Sequence, residues 1–69
     1  MANHVYKIIQ VAGSSPLSLE DAIQNAIAKA SETLHNLDWF EVKETRGQIV
    51  NAKVAHYQVV MNIGFRLDE

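Results

Sequence analysis

The chain has 69 residues, no cysteine and a formal charge of −2, from six Lys and Arg against eight Asp and Glu. Without cysteine, a disulfide framework and a cysteine-based zinc site are excluded. Acidic and basic residues are interspersed, which argues against the cationic surface of a nucleic-acid-binding domain. Since we find neither a signal peptide nor a membrane-spanning apolar run, we predict one cytoplasmic domain over residues 1–69.

The small size of the chain limits how stable a monomer would be. A domain of this length buries about 60% of the surface that its unfolded chain exposes. Small domains without disulfides or metals commonly gain stability from oligomerisation. Hydrophobic residues make up 48% of the sequence, which is typical of a globular domain. We therefore expect an obligate oligomer.

The first element is predicted from "HVYKIIQVAG". Its β-branched and aromatic residues indicate a strand over residues 4–12 that stops at Gly13. Both sides of this strand are largely apolar, which is typical of a strand covered on both sides. Because only one helix is predicted, another subunit is expected to supply the second cover.

A helix is predicted to begin after Ser18, a favourable N-cap, with Asp21 completing a capping box. Its apolar residues recur at steps of three and four and form one stripe: Leu19, Ile23, Ala26, Ile27, Ala30, Leu34 and Leu37. His35 and Asn36 are typical of the C-terminal end of a helix.

Two long strands are predicted next, over residues 39–50 and 54–67, joined by a tight turn near Asn51, Ala52 and Lys53. The last strand alternates clearly, which indicates one side facing the helix and one facing away. Gln58 lies on the side that faces away. The helix-facing set is Ala55, Tyr57, Val59, Met61, Ile63, Phe65 and Leu67.

The middle strand supports two different registers. Counting outward from the turn pairs residue 50 with 54, 48 with 56, and 46 with 58, so that Arg46 lies beside Gln58 on the outer face. Matching core residues at the other end pairs Phe40 with Phe65 and Val42 with Ile63. The registers differ by one residue, so we predict a β-bulge between Val42 and Arg46. Trp39 then also faces outward.

The order β-α-β-β predicts an α+β fold, in which a three-stranded antiparallel sheet wraps around one helix. Its outer face would carry Trp39, Arg46 and Gln58. A lone tryptophan is often a core or interface residue, but it can also stack on a planar ligand. Gln58 offers a donor and an acceptor to a ring edge, and Arg46 can stack on a ring or pair with an anion. From the residues alone, both interpretations stay open.

Other chemistry has little support in the sequence. His4, His35 and His56 fall on three separate elements without acidic partners at ligand spacing, so no metal site is predicted. The serines lack a nucleophile-elbow pattern, and we predict no catalytic residue. The segment "AGSSP" is compatible with a phosphate site at a helix N-terminus and equally with a plain turn.

Several segments, taken in order, resemble the bacterial dodecins: "YKIIQVAGSSP", "DAIQNAIAKAS", "LDWFEV", "TRG", "VAHYQV" and "GFRL". The resemblance runs from Tyr6 to Leu67. Two departures are mild, namely "AGSSP" where the family often has Gly-Thr-Ser-Pro and "VNAK" where a glycine is common in the turn.

The resemblance implies a flavin-binding protein that assembles as a hollow homododecamer. Flavins would bind in stacked pairs at two-fold interfaces, each between its partner flavin and the indole of Trp39. Gln58 would bind the pyrimidine end of the ring, and Arg46 would lie near the flavin. The expected ligand is FMN, with riboflavin or FAD as alternatives, and the expected role is storage and quenching without catalysis.

Two other functions stay open at this point. One is a flavin-dependent electron-transfer protein. The other is an oligomeric binder of a different nucleotide ligand, such as coenzyme A.

Overall fold

A computed structural model describes residues 3–68 as one sheet and one helix. The elements are β1 (Tyr6–Ser15), α1 (Leu19–Ala30), β2 (Leu37–Val50) and β3 (Lys53–Arg66). All strand pairs are antiparallel and β3 lies in the centre, in the order β1-β3-β2. The predicted β-α-β-β fold is confirmed. The helix in this part of the chain is neither long nor apolar enough to cross a membrane.

The core lies between α1 and the face of the sheet that it covers. Its buried residues are Ala22, Ala26, Val59, Met61, Ile63 and Phe65. The four from β3 belong to the predicted helix-facing set, because alternate residues of a strand share a face. Ala22 was missing from the predicted stripe, and Leu67 lies beyond the end of β3, 40% exposed.

The helix approaches β1 closely at Gly13. A Cβ built on this residue would overlap the carbonyl oxygen of Ala22 and lie 2.8 Å from the Cβ of Ala26. Small residues on both sides thus set the distance between helix and sheet. They also let β1 continue past its predicted end, since Gly13 and Ser15 still pair with Val59 and Tyr57.

The start of α1 agrees with the prediction, but its capping differs in one respect. Ser18 is the N-cap, and its Oγ accepts a hydrogen bond from the Asp21 amide at 3.0 Å. The Asp21 carboxylate does not complete the expected capping box. It accepts instead from the buried Ser15 hydroxyl at 2.6 Å, and Ser15 Oγ in turn accepts from the Leu17 amide at 2.9 Å.

The end of α1 was predicted wrongly. The helix ends at Ala30, well before His35 and Asn36. The Ser31 hydroxyl donates to the Ala28 carbonyl at 2.7 Å, and the following amides form short-range bonds typical of a tightening last turn. Asn36 then adopts a φ of 62°, which turns the chain into β2 two residues earlier than predicted.

The hairpin register near the turn is confirmed in part. Arg46 pairs with Gln58, and Gln48 pairs with His56. Residue 50 pairs with Lys53 and not with residue 54, because the loop has only two residues and the register shifts between Gln48 and Ile49. Those two loop residues, Asn51 and Ala52, have φ values of 53° and 62°, as in a type I′ turn.

At the other end of the hairpin the predicted pairs are wrong by two residues. Phe40 pairs with Ile63 and Val42 with Met61. The predicted bulge is confirmed, since the register shifts between Val42 and Glu44. A further shift between Leu37 and Trp39 was not predicted. It lets Leu37 pack against the core while Trp39 faces outward.

The helix covers only part of the sheet. Its 12 residues span about 18 Å, whereas the 14 residues of β2 or β3 span about 46 Å. The radius of gyration is 14.4 Å, compared with about 11 Å for a compact domain of this length. The accessible surface is 5137 Å², compared with about 4,300 Å² for a compact monomer.

Much of the excess surface is apolar. The exposed large hydrophobic residues include Val5, Tyr6, Ile8, Leu17, Trp39, Phe40, Val42, Ile49, Val50, Val54 and Leu67. Some of them adjoin, as Tyr6 does with Trp39 and Ile49 with Val54, and exposed apolar patches commonly mark a protein interface. The shape of the subunit therefore supports self-association.

Replacing Ala52 with glycine should stabilise the protein, because an L-residue at φ 62° is strained by about 1–2 kcal/mol and glycine is not. We expect a net gain of about 1 kcal/mol in the free energy of unfolding. Chemical denaturation at a fixed protein concentration measures it. As a control, Ala28→Gly on the exposed side of α1 should lose about 1 kcal/mol. A loss for both variants would contradict the assigned turn.

Candidate functional site

The three predicted site residues lie on the outer face of the sheet, which is the face turned away from α1. Pairing and alternation place the following residues on this face: Tyr6, Ile8, Gln10, Ala12 and Ser14 on β1, Trp39, Glu41, Glu44, Arg46 and Gln48 on β2, and His56, Gln58, Val60, Asn62, Gly64 and Arg66 on β3.

Trp39 is held against the outer face by two neighbours. A Cβ on Gly64 would overlap the benzo ring of Trp39, so the indole lies directly over the Gly64 backbone. The Tyr6 ring meets the indole edge-on, with centroids 5.1 Å apart and planes at 66°. Trp39 still exposes 41% of its surface. The indole is thus oriented and available for a further contact.

Sequence reasoning missed the roles of Gly64 and Tyr6. A signal for Gly64 existed, since a glycine inside a strand often marks the close approach of another group. Tyr6 could be found only from the register, in which Tyr6 pairs with Arg66 next to the Gly64–Trp39 pair.

Arg46 and Gln58 lie at the other end of the outer face. They are directly opposed across β2 and β3 and line an open cleft of about 420 Å³. Its lining is Ser14, Arg46, Gly47, Gln48, His56 and Gln58, which we call the polar cleft. Most of these side chains are neutral hydrogen-bonding groups, and Arg46 is the permanent cation among them.

The Arg46 guanidinium already has a partner. Its Nη2 donates to Oε1 of Glu44, and both side chains are 56% exposed. The two residues share a face because they are two positions apart in the strand, and the register shift after Val42, which skips Lys43 in the pairing, turns this face outward. An exposed ion pair of this kind contributes little to stability, so another anion can compete for Arg46.

The structure does not bring Trp39 close to Arg46 and Gln58 within one subunit. Trp39 pairs with Gly64, which is six residues from Gln58 along β3, or about 20 Å. All three residues share the outer face as predicted, but Trp39 lies well apart from Arg46 and Gln58 along it.

The described residues offer no cluster for metal binding. Within residues 3–68, no three side chains of His, Asp or Glu come together in a suitable group. His4 lies 6.4 Å from Tyr6 between ring centroids, and His56 lies in the polar cleft. The arrangement is suited to stacking and hydrogen bonding.

Comparison with known proteins gives a consistent match. The family model for dodecin matches residues 5–68. A dodecin from Thermus thermophilus is 57% identical over 65 residues, which cover 94% of each chain. The solved dodecin from Streptomyces davaonensis is 54% identical with a TM-score of 0.94, covering 99% of this chain and 100% of its own.

A more distant structure is also similar in fold. It is the calcium dodecin of Mycobacterium tuberculosis, described as calcium-chelating, with 26% identity and a TM-score of 0.80 over 93% of this chain and 91% of its own. Because the family model and the 57% identical relative both match almost the whole sequence, the chain belongs to the dodecin family.

Proposed function

We propose that the protein binds flavin, principally FMN, at subunit interfaces, and that it stores this flavin and quenches its photochemistry. The observation that carries the proposal is the indole of Trp39. It is oriented by Gly64 and Tyr6, and it remains 41% exposed on an uncovered face. Membership of the dodecin family supports the choice of a flavin as the planar ligand.

Stacking on Trp39 accounts for both affinity and quenching. Offset stacking of aromatic rings contributes about 0.5–1.5 kcal/mol beyond the area that it buries. Indole is electron-rich, and an excited flavin in contact with it is a strong oxidant. Electron transfer followed by recombination returns the flavin to its ground state before it reacts with other molecules.

The site we propose is shared between two subunits. Trp39 and Gln58 are about 20 Å apart along the sheet, so one flavin would contact Trp39 of one subunit and Gln58 of another. In a two-fold interface the same surface is presented twice, which gives two equivalent sites side by side. Two flavins stacked between two indoles would fill such an interface.

Gln58 and Arg46 supply the polar contacts in this proposal. The Gln58 carboxamide would pair with the pyrimidine edge of the flavin, which carries both donors and acceptors. Arg46 would lie near the same ligand. Riboflavin and FAD share the ring system and are alternative ligands. Coenzyme A is an alternative that carries phosphate but no flavin ring.

The proposed assembly is a homododecamer, and the proposed role is non-catalytic. The uncovered sheet and the exposed apolar residues of the subunit support association. A ring enclosed between an indole and a second flavin leaves little room for a substrate. A flavin-dependent electron-transfer protein that is reduced by hydride from a nicotinamide would require such access.

Replacing Trp39 with alanine should weaken FMN binding at least tenfold and restore the fluorescence of the bound fraction, because the stacking surface is lost. FMN fluorescence titration measures both, and light scattering measures the mass of the particle. Trp39→Phe keeps a ring and should retain part of the affinity. Undiminished quenching in Trp39→Ala would contradict the proposal, and loss of assembly would identify Trp39 as an interface residue.

Gly64→Ala provides a matched test, because it displaces the indole without removing it. We expect weaker binding and less complete quenching than in the wild type. Ala12→Ser, at an exposed outer-face position on β1, serves as the control and should titrate as the wild type does. Equal behaviour of both variants would mean that the indole orientation is unimportant.

Subunit mixing tests the shared site. Trp39→Ala and Gln58→Ala subunits should each bind FMN poorly alone. After joint unfolding and reassembly in equal amounts, about one quarter of the sites should regain an intact tryptophan and glutamine from different subunits. Recovery of quenching near that fraction is the expected result. No recovery, in particles shown by mass spectrometry to be mixed, would indicate that each site lies within one subunit.

A further inference from the structure

The ion pair between Glu44 and Arg46 suggests how the site distinguishes its ligands. Arg46 is the permanent cation of the polar cleft, and none of the residues that line this cleft is acidic. Its nearest carboxylate belongs to Glu44, which binds the guanidinium from outside the lining. The charge offered to a ligand therefore depends on whether Glu44 stays bound to Arg46.

The position of Arg46 favours a charged group of the ligand over its ring. Arg46 lies on β2, an edge strand of the sheet, and its side chain is 56% exposed. Burying a phosphate without a paired charge is very costly, so the phosphate of a bound ligand should lie beside a cation such as Arg46. The guanidinium has the planar donor geometry that binds phosphate.

The surrounding groups of the polar cleft suit the same ligand group. Ser14, Gln48 and His56 add hydroxyl, amide and imidazole donors next to Arg46. Ser14 is opposite Gln58 on one side of β3, and Arg46 is opposite Gln58 on the other. All three strands therefore contribute donors to one open surface.

We propose that the polar cleft accepts the phosphate monoester of a phosphorylated flavin and that Glu44 sets the selectivity for phosphate by competing for Arg46. This inference rests on the proposed flavin function. A phosphorylated flavin displaces Glu44 from the guanidinium, whereas unphosphorylated riboflavin leaves the pair intact. Glu44 thus reduces the preference for FMN over riboflavin, which keeps the affinities for the two ligands closer together.

The test compares the affinities of FMN and riboflavin in the wild type and in Glu44→Gln, each measured by fluorescence titration. Glutamine keeps the size of the side chain and removes the competing charge. The ratio of FMN affinity to riboflavin affinity should rise about two- to fivefold, the range expected when one exposed ion pair no longer has to be broken. Added salt should reduce this gain.

A matched control separates this effect from a general change of charge. Glu32 is another exposed carboxylate, which forms an ion pair with Lys29 at 3.4 Å just after the end of α1. It lies on the helix side of the sheet, away from the outer face. Glu32→Gln should therefore leave the affinity ratio close to that of the wild type.

The requirement for Arg46 is tested in a second background. In Arg46→Gln, adding Glu44→Gln should not change the affinity ratio, because no guanidinium is left to compete for. If Glu44→Gln raised the affinities for riboflavin and FMN equally, the inference would be overturned, and Arg46 would be assigned to a contact with the flavin ring. A ratio that rises no more than in Glu32→Gln would also overturn it. Failure of the wild type to bind either flavin would instead refute the proposed function itself.

Discussion

The difference in length between one short helix and a long hairpin determines the rest of this structure. Twelve helical residues bury the central part of a sheet whose longest strands have 14 residues. The helix covers one face of the sheet near Met61 and Ile63 and leaves the outer face uncovered. Burial of apolar surface is the main source of folding free energy, so the exposed sheet would contribute to stability only when other copies cover it. In the proposed assembly, self-association and ligand binding would therefore use the same face.

Two of the three register shifts in β2 decide what that face displays. Trp39 and Arg46 are seven positions apart, and regular alternation would turn them to opposite sides of the sheet. The shift after Val42 puts both outward, and the shift after Leu37 separates a core leucine from an outward tryptophan. Gly64 then provides a flat surface for the indole. Irregular pairing is thus the feature that gives a small sheet the surface proposed to bind flavin.

Sequence patterning predicted which side each residue occupies better than where it lies along the sheet. Alternation has a period of two, so an error of two residues preserves every facing. This is why Phe40 was assigned to the correct face but opposite Phe65 in place of Ile63. The early end of α1 was missed because it depends on local bonds of Ser31 that compete with the apolar stripe.

If identical subunits jointly enclose stacked flavins, one titration detects both the assembly and the bound ligand. Apo-protein is titrated into FMN while fluorescence is recorded, and the mass of the same sample is measured by light scattering. We expect strong quenching that saturates at about one flavin per subunit, in a particle of about 92 kDa from twelve chains of 7.7 kDa. A particle of that mass that leaves FMN fluorescent would contradict this expectation.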